Sequence, residues 1–208
     1  MRVLITAGPT YEPIDPVRFI GNRSSGQMGA ALATAAVDAG HDVTLVLGPV
    51  TAAMPAHQTI RRVDIFSSGD LLDAVLREFP SHDLLIMAAA VADFRPKQVR
   101  TEKVVRGGTM TIELEATEDI AAAAGAIKRP HQRTVGFSLV ERGNLARSRE
   151  KMARKQLDMI VYNPLDTMSS ATIESVLLYP NGRSEELPMQ PKSDFARTLL
   201  ARAAALFA

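Results

Sequence analysis

The chain has 208 residues, with 24 basic and 23 acidic side chains and a formal net charge of +1. This balance lacks the global basic excess that is typical of nucleic-acid-binding proteins. The absence of cysteine excludes disulfides, thiolate metal sites and cysteine nucleophiles. No apolar run approaches the roughly 18 residues of a membrane helix, and no signal-peptide pattern opens the chain. We therefore expect a cytoplasmic protein that binds neither nucleic acid nor membrane.

Short apolar runs alternate with longer segments of helical period along the chain. Strands are predicted, in chain order, at residues 3–6, 43–47, 62–66, 83–88, 134–137 and 159–162. Helices are predicted at residues 26–39, 71–79, 118–127, 144–156 and 194–206. This alternation predicts an α/β fold with a doubly wound, mostly parallel, Rossmann-like sheet and right-handed crossovers.

Two segments depart from the alternation. Residues 96–115 are polar and basic before they alternate in polarity, which predicts an excursion followed by an antiparallel strand. Residues 172–188 predict a hairpin around the turn Pro180-Asn181-Gly182. We expect these two segments to form a small antiparallel appendage on a single domain that spans residues 1–208.

The loop after the first strand lacks the two common nucleotide-binding motifs. Neither G-x-G-x-x-G nor G-x-x-x-x-G-K-[ST] follows that strand, and a long loop rich in proline comes after Gly8 instead. Ser24-Ser25-Gly26 then opens the helix, and such a start offers free backbone N–H groups, two hydroxyls and the positive end of a helix dipole. Two interpretations stay open from these residues alone. One is a phosphate or nucleotide site, favoured by the loop length, and the other is an ordinary serine N-cap.

Further polar residues follow a predicted strand or share a helix face. Lys151 and Lys155 are four residues apart, so both could reach one polyphosphate, or they could form a solvated basic face. Asp93 follows the buried strand at residues 83–88, where α/β sheets bind ligands. It could bind a ribose hydroxyl, a base amine or Mg²⁺, or it could cap a helix. The histidines are scattered and receive no chemical role.

A series of motifs, in this order, resembles the signature of one enzyme family. It includes Gly8-Pro9-Thr10, Asn22-x-Ser24-Ser25-Gly26 and Lys151-x-x-x-Lys155. The other motifs lie at residues 12–20, 88–96, 102–103 and 135–137, so the resemblance covers most of the first 165 residues. The chain resembles the phosphopantothenoylcysteine synthetase (phosphopantothenate–cysteine ligase) family in its bacterial form.

The resemblance implies a ligase of coenzyme A biosynthesis that joins 4'-phosphopantothenate to L-cysteine through an acyl-nucleotidylate. CTP, or alternatively ATP, would be the co-substrate with Mg²⁺, and the enzyme would be a homodimer. Many bacterial relatives carry a flavin-dependent decarboxylase domain before this one. The sequence starts at its own first strand and shows no flavin-binding motif. We therefore expect the synthetase without that domain, either alone or as a fragment.

The resemblance also implies roles for individual residues. Those implied to be catalytic are Asn22, Arg18 and Lys103. Those implied to bind the nucleotide are Met87, Ala88, Ala89, Asp93, Lys103, Glu118, Asp119, Ile120, Ala121, Phe137, Lys151 and Lys155. Those implied to bind phosphate or substrate are Ser24, Ser25, Gly26, Asn22 and Ala90. Asp93 is the implied metal ligand.

The three catalytic candidates suit the implied chemistry. The neutral amide of Asn22 can donate to a developing oxyanion, and its alternative is an ordinary asparagine in the turn after Gly21. Arg18 offers a planar fork for a phosphate or carboxylate. Lys103 offers a point charge on a loop that can close over the site.

Several positions depart from the bacterial pattern of the family. Gln27 replaces a lysine near the helix start, and the lysine-rich flap is reduced to residues 103–106. Residues 117–120, 138–141 and 162–164 also differ. These changes bear on nucleotide choice and flap behaviour. Two other functions stay open: an NAD(P)-dependent oxidoreductase, disfavoured by the missing G-x-G-x-x-G, and a non-catalytic nucleotide-binding relative.

Overall fold

The computed structural model describes residues 1–50, 54, 57–165 and 170–208. Its strands in chain order are β1 (Arg2–Ala7), β2 (Tyr11–Pro13), β3 (Phe19–Gly21), β4 (Asp42–Leu47), β5 (Ile60–Asp64), β6 (Leu84–Met87), β7 (Phe94–Pro96), β8 (Leu114–Ala116), β9 (Arg133–Val140), β10 (Met159–Pro164), β11 (Thr172–Leu178) and β12 (Ser184–Pro191). Its α-helices are α1 (Gln27–Asp38), α2 (Ser68–Glu78), α3 (Ile120–Ile127), α4 (Leu145–Arg154) and α5 (Lys192–Ala204).

Eight of these strands form one sheet in the order β12-β11-β10-β9-β6-β1-β4-β5. The strands from β10 to β5 are parallel to one another, whereas β11 is antiparallel to both β10 and β12. The predicted α/β fold with a mostly parallel, Rossmann-like sheet is therefore confirmed. That residues 1–208 form a single domain stays a prediction.

Helices cover both faces of the sheet. On one face α1 and α5 pack together, and Val3 and Ile5 of β1 share a buried cluster with Leu32 of α1. On the other face α2 and α3 pack together, and Leu4 shares a second buried cluster with Phe79. Burial on both faces explains why β1 and β6 have continuous apolar sequences. In the part of the chain that is described, every helix is too short or too polar to cross a membrane.

The antiparallel segments differ partly from the prediction. The hairpin predicted at residues 172–188 exists as β11 and β12, but it extends the main sheet and is not part of an appendage. The reason is that consecutive residues of β11, Leu177 and Leu178, are both buried, one in a cluster on each face. The excursion at residues 96–115 is closed by β7 and β8, a separate two-stranded antiparallel sheet. The first loop forms a further antiparallel pair, β2 and β3, that the sequence did not predict.

Gly29 sets the distance between α1 and β1. A Cβ atom at this position would overlap the Cβ of Ala7 and lie 3.1 Å from its Cα. We expect Gly29→Ala to lower the free energy of unfolding by about 1–3 kcal/mol, because overpacking outweighs the gain in helix propensity. Gly107→Ala is the matched control, since nothing lies within 4 Å of an added Cβ there. Urea unfolding measures both, and a Gly29→Ala variant as stable as the wild type would contradict the close contact.

Candidate functional site

The carboxyl ends of the parallel strands open into a cleft with a volume of about 870 Å³. Its walls are the start of α1, the segment after β6, the start of α3, the end of β9 and one side of α4. Open α/β sheets bind their ligands at the carboxyl ends of the strands, where loops and helix N-termini converge. This cleft is therefore the candidate site.

The start of α1 lies at the wall of the cleft without a serine cap. Gly26 is the N-cap residue, with a left-handed φ of 80°, and no side chain caps the helix from that position. The Ser25 hydroxyl accepts only a long hydrogen bond, 3.5 Å, from the N–H of Gln27. The alternative of an ordinary serine N-cap therefore does not hold. Residues 24–29 all line the cleft, so the positive end of the helix dipole lies at its wall.

The segment after β6 is fixed to the first loop by backbone and side-chain hydrogen bonds. The N–H of Ala90 donates to the carbonyl of Gly8 at 2.8 Å, and the N–H of Thr10 donates to the carbonyl of Ala90 at 3.2 Å. The Thr10 hydroxyl accepts from the N–H of Ala92 at 2.9 Å. The side-chain amide of Asn22 donates to the carbonyl of Ala90 at 2.9 Å. The fold thus brings together Asn22 and Ala90, which the resemblance implies as neighbours of one substrate.

The two lysines of α4 have different surroundings. Lys155 is the C-cap residue of the helix, and its Nζ lies 2.8 Å from a carboxylate oxygen of Asp119. Within the described part of the chain, the one hydrogen bond of Lys151 Nζ is to the carbonyl of Phe137, at 3.5 Å. Burial, and next the positive charge of Lys155, lower the pKa of the Lys151 amine below its ordinary value. Lys151 is therefore the cation that is better placed to bind an anionic ligand, while Lys155 is held by its ion pair.

Asp119 connects two walls of the cleft. It caps α3 by accepting a hydrogen bond from the N–H of Ala122 at 3.1 Å, and it also pairs with Lys155. Burial alone would raise the pKa of its carboxyl, but the Lys155 ammonium and the Ala122 N–H outweigh burial and lower it. The Asp119 side chain is therefore already committed to the helix cap and to Lys155 where residues 118–121 line the cleft.

Asp93 is a candidate metal ligand among the carboxylates that line the cleft, which also include Glu141 and Glu150. It is exposed and precedes β7 rather than a helix, so the helix-cap alternative does not hold. Glu118, by contrast, pairs with Arg95 at 2.9 Å. Among the described residues, no three His, Asp or Glu side chains are grouped to hold a metal on their own. A single carboxylate fits Mg²⁺, which proteins commonly bind through one or two carboxylates together with substrate phosphates.

Two of the implied catalytic residues lie outside the walls of the cleft. The implied site residues that line it are Asn22, Ser24, Ser25, Gly26, Met87, Ala88, Ala89, Ala90, Asp93, Glu118, Asp119, Ile120, Ala121, Phe137, Lys151 and Lys155. Arg18 instead forms an ion pair with Asp15 and donates to the carbonyl of Val104 at 3.2 Å. Lys103 is exposed on the excursion between β7 and β8.

Sequence reasoning missed other polar residues of the cleft. Arg147 lies on the same wall as Lys151, and the four-residue spacing between them on α4 could have indicated it. Lys192, the first residue of α5, also lines the cleft, and burial lowers the pKa of its amine. No local pattern could have found Lys192, because its place depends on the packing of α5 beside α1.

Comparison with known proteins gives the family to which the chain belongs. Residues 1–206 match the family model described as DNA/pantothenate metabolism flavoprotein C-terminal domain. The chain is 39% identical over 205 residues to the coenzyme A biosynthesis bifunctional protein CoaBC of Vibrio cholerae, covering 96% of this chain and 51% of that protein. It is 40% identical over 209 residues to CoaBC of Bacillus subtilis, covering 98% and 51%.

Two further matches bear on the identity of the chain. A cysteine/cysteine sulfinic acid decarboxylase from an unknown prokaryotic organism is 51% identical over 165 residues, covering 79% of this chain and 46% of that protein. The crystal structure of the C-terminal domain of a CoaBC protein superimposes with a TM-score of 0.82 at 40% identity, covering 97% of this chain and 92% of that one. The chain spans about half the length of the curated relatives it matches. It belongs to the family of DNA/pantothenate metabolism flavoprotein C-terminal domains.

Proposed function

We propose that the chain is a phosphopantothenate–cysteine ligase, which joins 4'-phosphopantothenate to L-cysteine with a nucleoside triphosphate. The observation that supports it most is the gathering of Asn22, the uncapped start of α1, the segment after β6 and Lys151 around one cleft. A second support is the structural match, over most of both chains, to the C-terminal domain of a coenzyme A biosynthesis protein. The nucleotide would be CTP or ATP, and the location would be the cytoplasm.

The geometry suits a reaction in two steps. In the first, a carboxylate oxygen of phosphopantothenate attacks the α-phosphorus of the nucleotide, and pyrophosphate leaves. In the second, the amine of cysteine attacks the acyl carbon, loses a proton, and displaces the nucleoside monophosphate. The start of α1 and Lys151 would hold the phosphates, and the Asn22 amide would turn from the Ala90 carbonyl to the acyl oxygen.

Mg²⁺ would neutralise phosphate charge when it is bound with the nucleotide. Asp93 would hold it, because this carboxylate is exposed in the cleft and follows β6 at the carboxyl edge of the sheet, whereas Glu118 and Asp119 are already paired with cations. The backbone of residues 118–121 would then be free to contact the nucleotide.

The relative that is 51% identical favours a second candidate, a part in the decarboxylation of cysteine or cysteine sulfinic acid. Its name describes a protein of which this chain covers 46%. Both candidates act on cysteine, so substrate binding does not separate them. Their products do, since one reaction releases pyrophosphate and the other carbon dioxide.

The first experiment measures pyrophosphate release with Mg²⁺, 4'-phosphopantothenate and either CTP or ATP, with and without cysteine. Release that depends on phosphopantothenate, and that turns over only with cysteine, supports the ligase and identifies its nucleotide. Carbon dioxide from cysteine without nucleotide would favour the decarboxylase. Nucleotide binding with neither product would refute the ligase and favour the non-catalytic relative, while binding of NADP alone would favour the oxidoreductase.

Asn22 gives a sharp test of the acyl-transfer step. Asn22→Ala should lower kcat by about 100- to 1000-fold, the usual effect of removing one oxyanion donor, with a smaller change in KM for the nucleotide. Asn181→Ala is the control, because Asn181 lies in a turn outside the cleft, where its side chain accepts from the N–H of Arg183 at 3.1 Å. Steady-state kinetics measure both variants. A kcat for Asn22→Ala within threefold of the wild type would remove Asn22 from the mechanism.

We expect the Lys151 side chain to lower the stability of the folded protein and to raise its affinity for the nucleotide. Lys151→Met removes a partly buried charge, so we expect the free energy of unfolding at pH 7 to rise on the order of 1 kcal/mol. Nucleotide affinity should fall about 10- to 100-fold, the usual loss for a charged hydrogen bond. Because the lowered pKa penalises the wild type only while the amine is protonated, the stability difference should shrink as the pH approaches 10.5.

Thermal unfolding and calorimetric titration with CTP and ATP measure these two effects of Lys151→Met. Arg149→Met is the control, because Arg149 lies on the same helix outside the cleft and donates to the carbonyl of Gly182. Unchanged affinity in Lys151→Met would show that the ligand does not use this amine.

We also propose that the chain acts as a homodimer through an exposed aromatic cluster. The rings of Tyr11 and Phe19 stack with centroids 3.9 Å apart, and Phe66 packs edge-on to Tyr11 at 5.8 Å. Phe19 and Phe66 each remain 46% exposed, and clustered apolar surface often marks a protein contact. Phe19→Ser should shift the sedimentation coefficient from dimer to monomer, whereas Met189→Ser, at a side chain that is 62% exposed, should not. A monomeric wild type would contradict the proposal.

A further inference from the structure

The excursion between β7 and β8 is attached to the body of the protein at one place. We call residues 98–112 the flap segment. In the part of the chain that is described, its hydrogen bonds to the rest of the protein all go to Ile14, Asp15 and Arg18. The N–H of Arg100 donates to the carbonyl of Ile14 at 3.0 Å. The other bonds are made by Val104, directly after Lys103.

The carboxylate of Asp15 joins the flap segment to the loop between β2 and β3. One of its oxygens accepts from the N–H groups of Val17 and Arg18, both at 2.8 Å. The other accepts from the N–H of Val104 at 3.1 Å and forms an ion pair with the guanidinium of Arg18. The Asp15 side chain is fully buried although it lies in a surface loop.

The charge on Asp15 persists throughout the range of enzyme assays. Burial alone would raise the pKa of this carboxyl, but the backbone N–H groups of Val104, Val17 and Arg18, together with the Arg18 side chain, outweigh burial and hold the pKa well below its ordinary value. A lowered pKa means that the stabilisation is complete above the ordinary value and is lost only as the pH falls through the lowered one. Lowering the pH would not test this attachment alone, because acid strong enough to protonate Asp15 protonates other paired carboxylates as well. A substitution of Asp15 is therefore the better test.

Arg18 completes the arrangement. Its guanidinium pairs with Asp15 and donates to the carbonyl of Val104 at 3.2 Å. Val104 is thus held at its N–H by Asp15 and at its carbonyl by Arg18. The neighbouring Lys103 has its backbone placed by the same bonds, while its side chain stays exposed.

We propose that Asp15 is a positioning residue, whose buried carboxylate holds Arg18 and the Lys103 end of the flap segment as one unit. Its effect on the reaction rests on the proposed ligase function, with Arg18 and Lys103 in the catalytic roles that the family resemblance implies. Placing two flexible cations beforehand reduces the conformational freedom that they lose when an anion binds. Asp15 would contribute by holding the Arg18 guanidinium and the backbone next to Lys103.

The first test does not depend on activity. Asp15→Asn keeps the size of the side chain but places an NH₂ group against N–H donors or the guanidinium. Trypsin can cut the flap segment after Arg100, Lys103 and Arg106. We expect cleavage after Lys103 and Arg106 to become about tenfold faster or more in Asp15→Asn at a temperature where the variant is folded, because a released segment is open to proteases. Mass spectrometry identifies the cuts.

The matched control is Asp70→Asn. Asp70 also accepts from two backbone N–H groups, those of Ser67 at 2.8 Å and Phe66 at 3.1 Å, but it caps α2 and does not contact the flap segment. The Asp70→Asn substitution should lower the Tm without making cleavage within residues 98–112 faster. Equal cleavage rates in wild type and Asp15→Asn would overturn the attachment. If Asp15→Asn does not fold, Val104→Pro removes the donor on the flap side and should give faster cleavage after Arg106, which is the bond to follow because trypsin does not cut before a proline. An unchanged rate after Arg106 would overturn the proposal.

The second test asks whether Asp15 acts through Lys103. Asp15→Asn should lower kcat about 10- to 100-fold, in the range for loss of hydrogen bonds to a charged group. In a Lys103→Gln background, Asp15→Asn should lower kcat by at least threefold less than it does in the wild type, because only the placement of Arg18 is then still lost. Multiplicative effects of the two substitutions would overturn the part of the proposal in which Asp15 acts through Lys103. An inactive wild type with faster cleavage in Asp15→Asn would refute the ligase function and leave the attachment standing.

Discussion

The hydrogen bonding between strands β1 and β6 does not stop at the edge of the sheet, and the cleft depends on this continuation. Past the last paired residues, Ala88 still donates to the carbonyl of Thr6, and Ala90 then exchanges backbone bonds with Gly8 and Thr10. Two loops that would otherwise be free at the carboxyl edge are thus held together. These bonds supply partners for the backbone groups of both loops, as buried N–H and C=O groups require. The side-chain amide of Asn22 also donates to the carbonyl of Ala90, so the backbone positions this catalytic candidate before any ligand binds.

Two buried carboxylates then fix the long first loop to its surroundings. Glu12 accepts from the N–H of Ser68 at 2.8 Å, at the positive end of α2, and so connects β2 to the second helix. Asp15 connects the loop to the flap segment through Val104. A buried charge is tolerated only when hydrogen bonds replace its water, and both carboxylates meet that condition within a loop rather than in the core. The two acids of one short motif therefore determine where the loop and the flap segment lie.

Local patterns predicted the elements well and their assembly less well. The apolar run at residues 83–88 predicted a buried parallel strand, because burial on both faces leaves a continuous signal. The hairpin around Gly182 was predicted from its turn, but its membership of the main sheet depends on Leu177 and Leu178 facing different clusters, which is a property of packing. The short β2–β3 pair has three residues in each strand, too few for an alternating pattern to be recognised.

The site residues that the resemblance implies also show that a sequence pattern does not reveal the tertiary partners of a side chain. Sixteen of them gather in one cleft because motifs that follow parallel strands must meet at one edge of the sheet. Spacing on α4 put Lys151 and Lys155 on one helix face, yet it could not show that Asp119, from another helix, would hold one of them. Nor could spacing show that Arg18 would pair with an acid three residues before it.

Chemical type predicts what a residue can do, whereas its partners decide what it is free to do. Partners come from the tertiary fold, so a cation that looks available in the sequence can already be held in the structure. That difference separates Lys151, whose only hydrogen-bond acceptor among the described residues is the carbonyl of Phe137, from Lys155, which is held by its ion pair with Asp119. A ligand that enters this cleft would therefore meet one poised ammonium group and one that first has to leave its carboxylate.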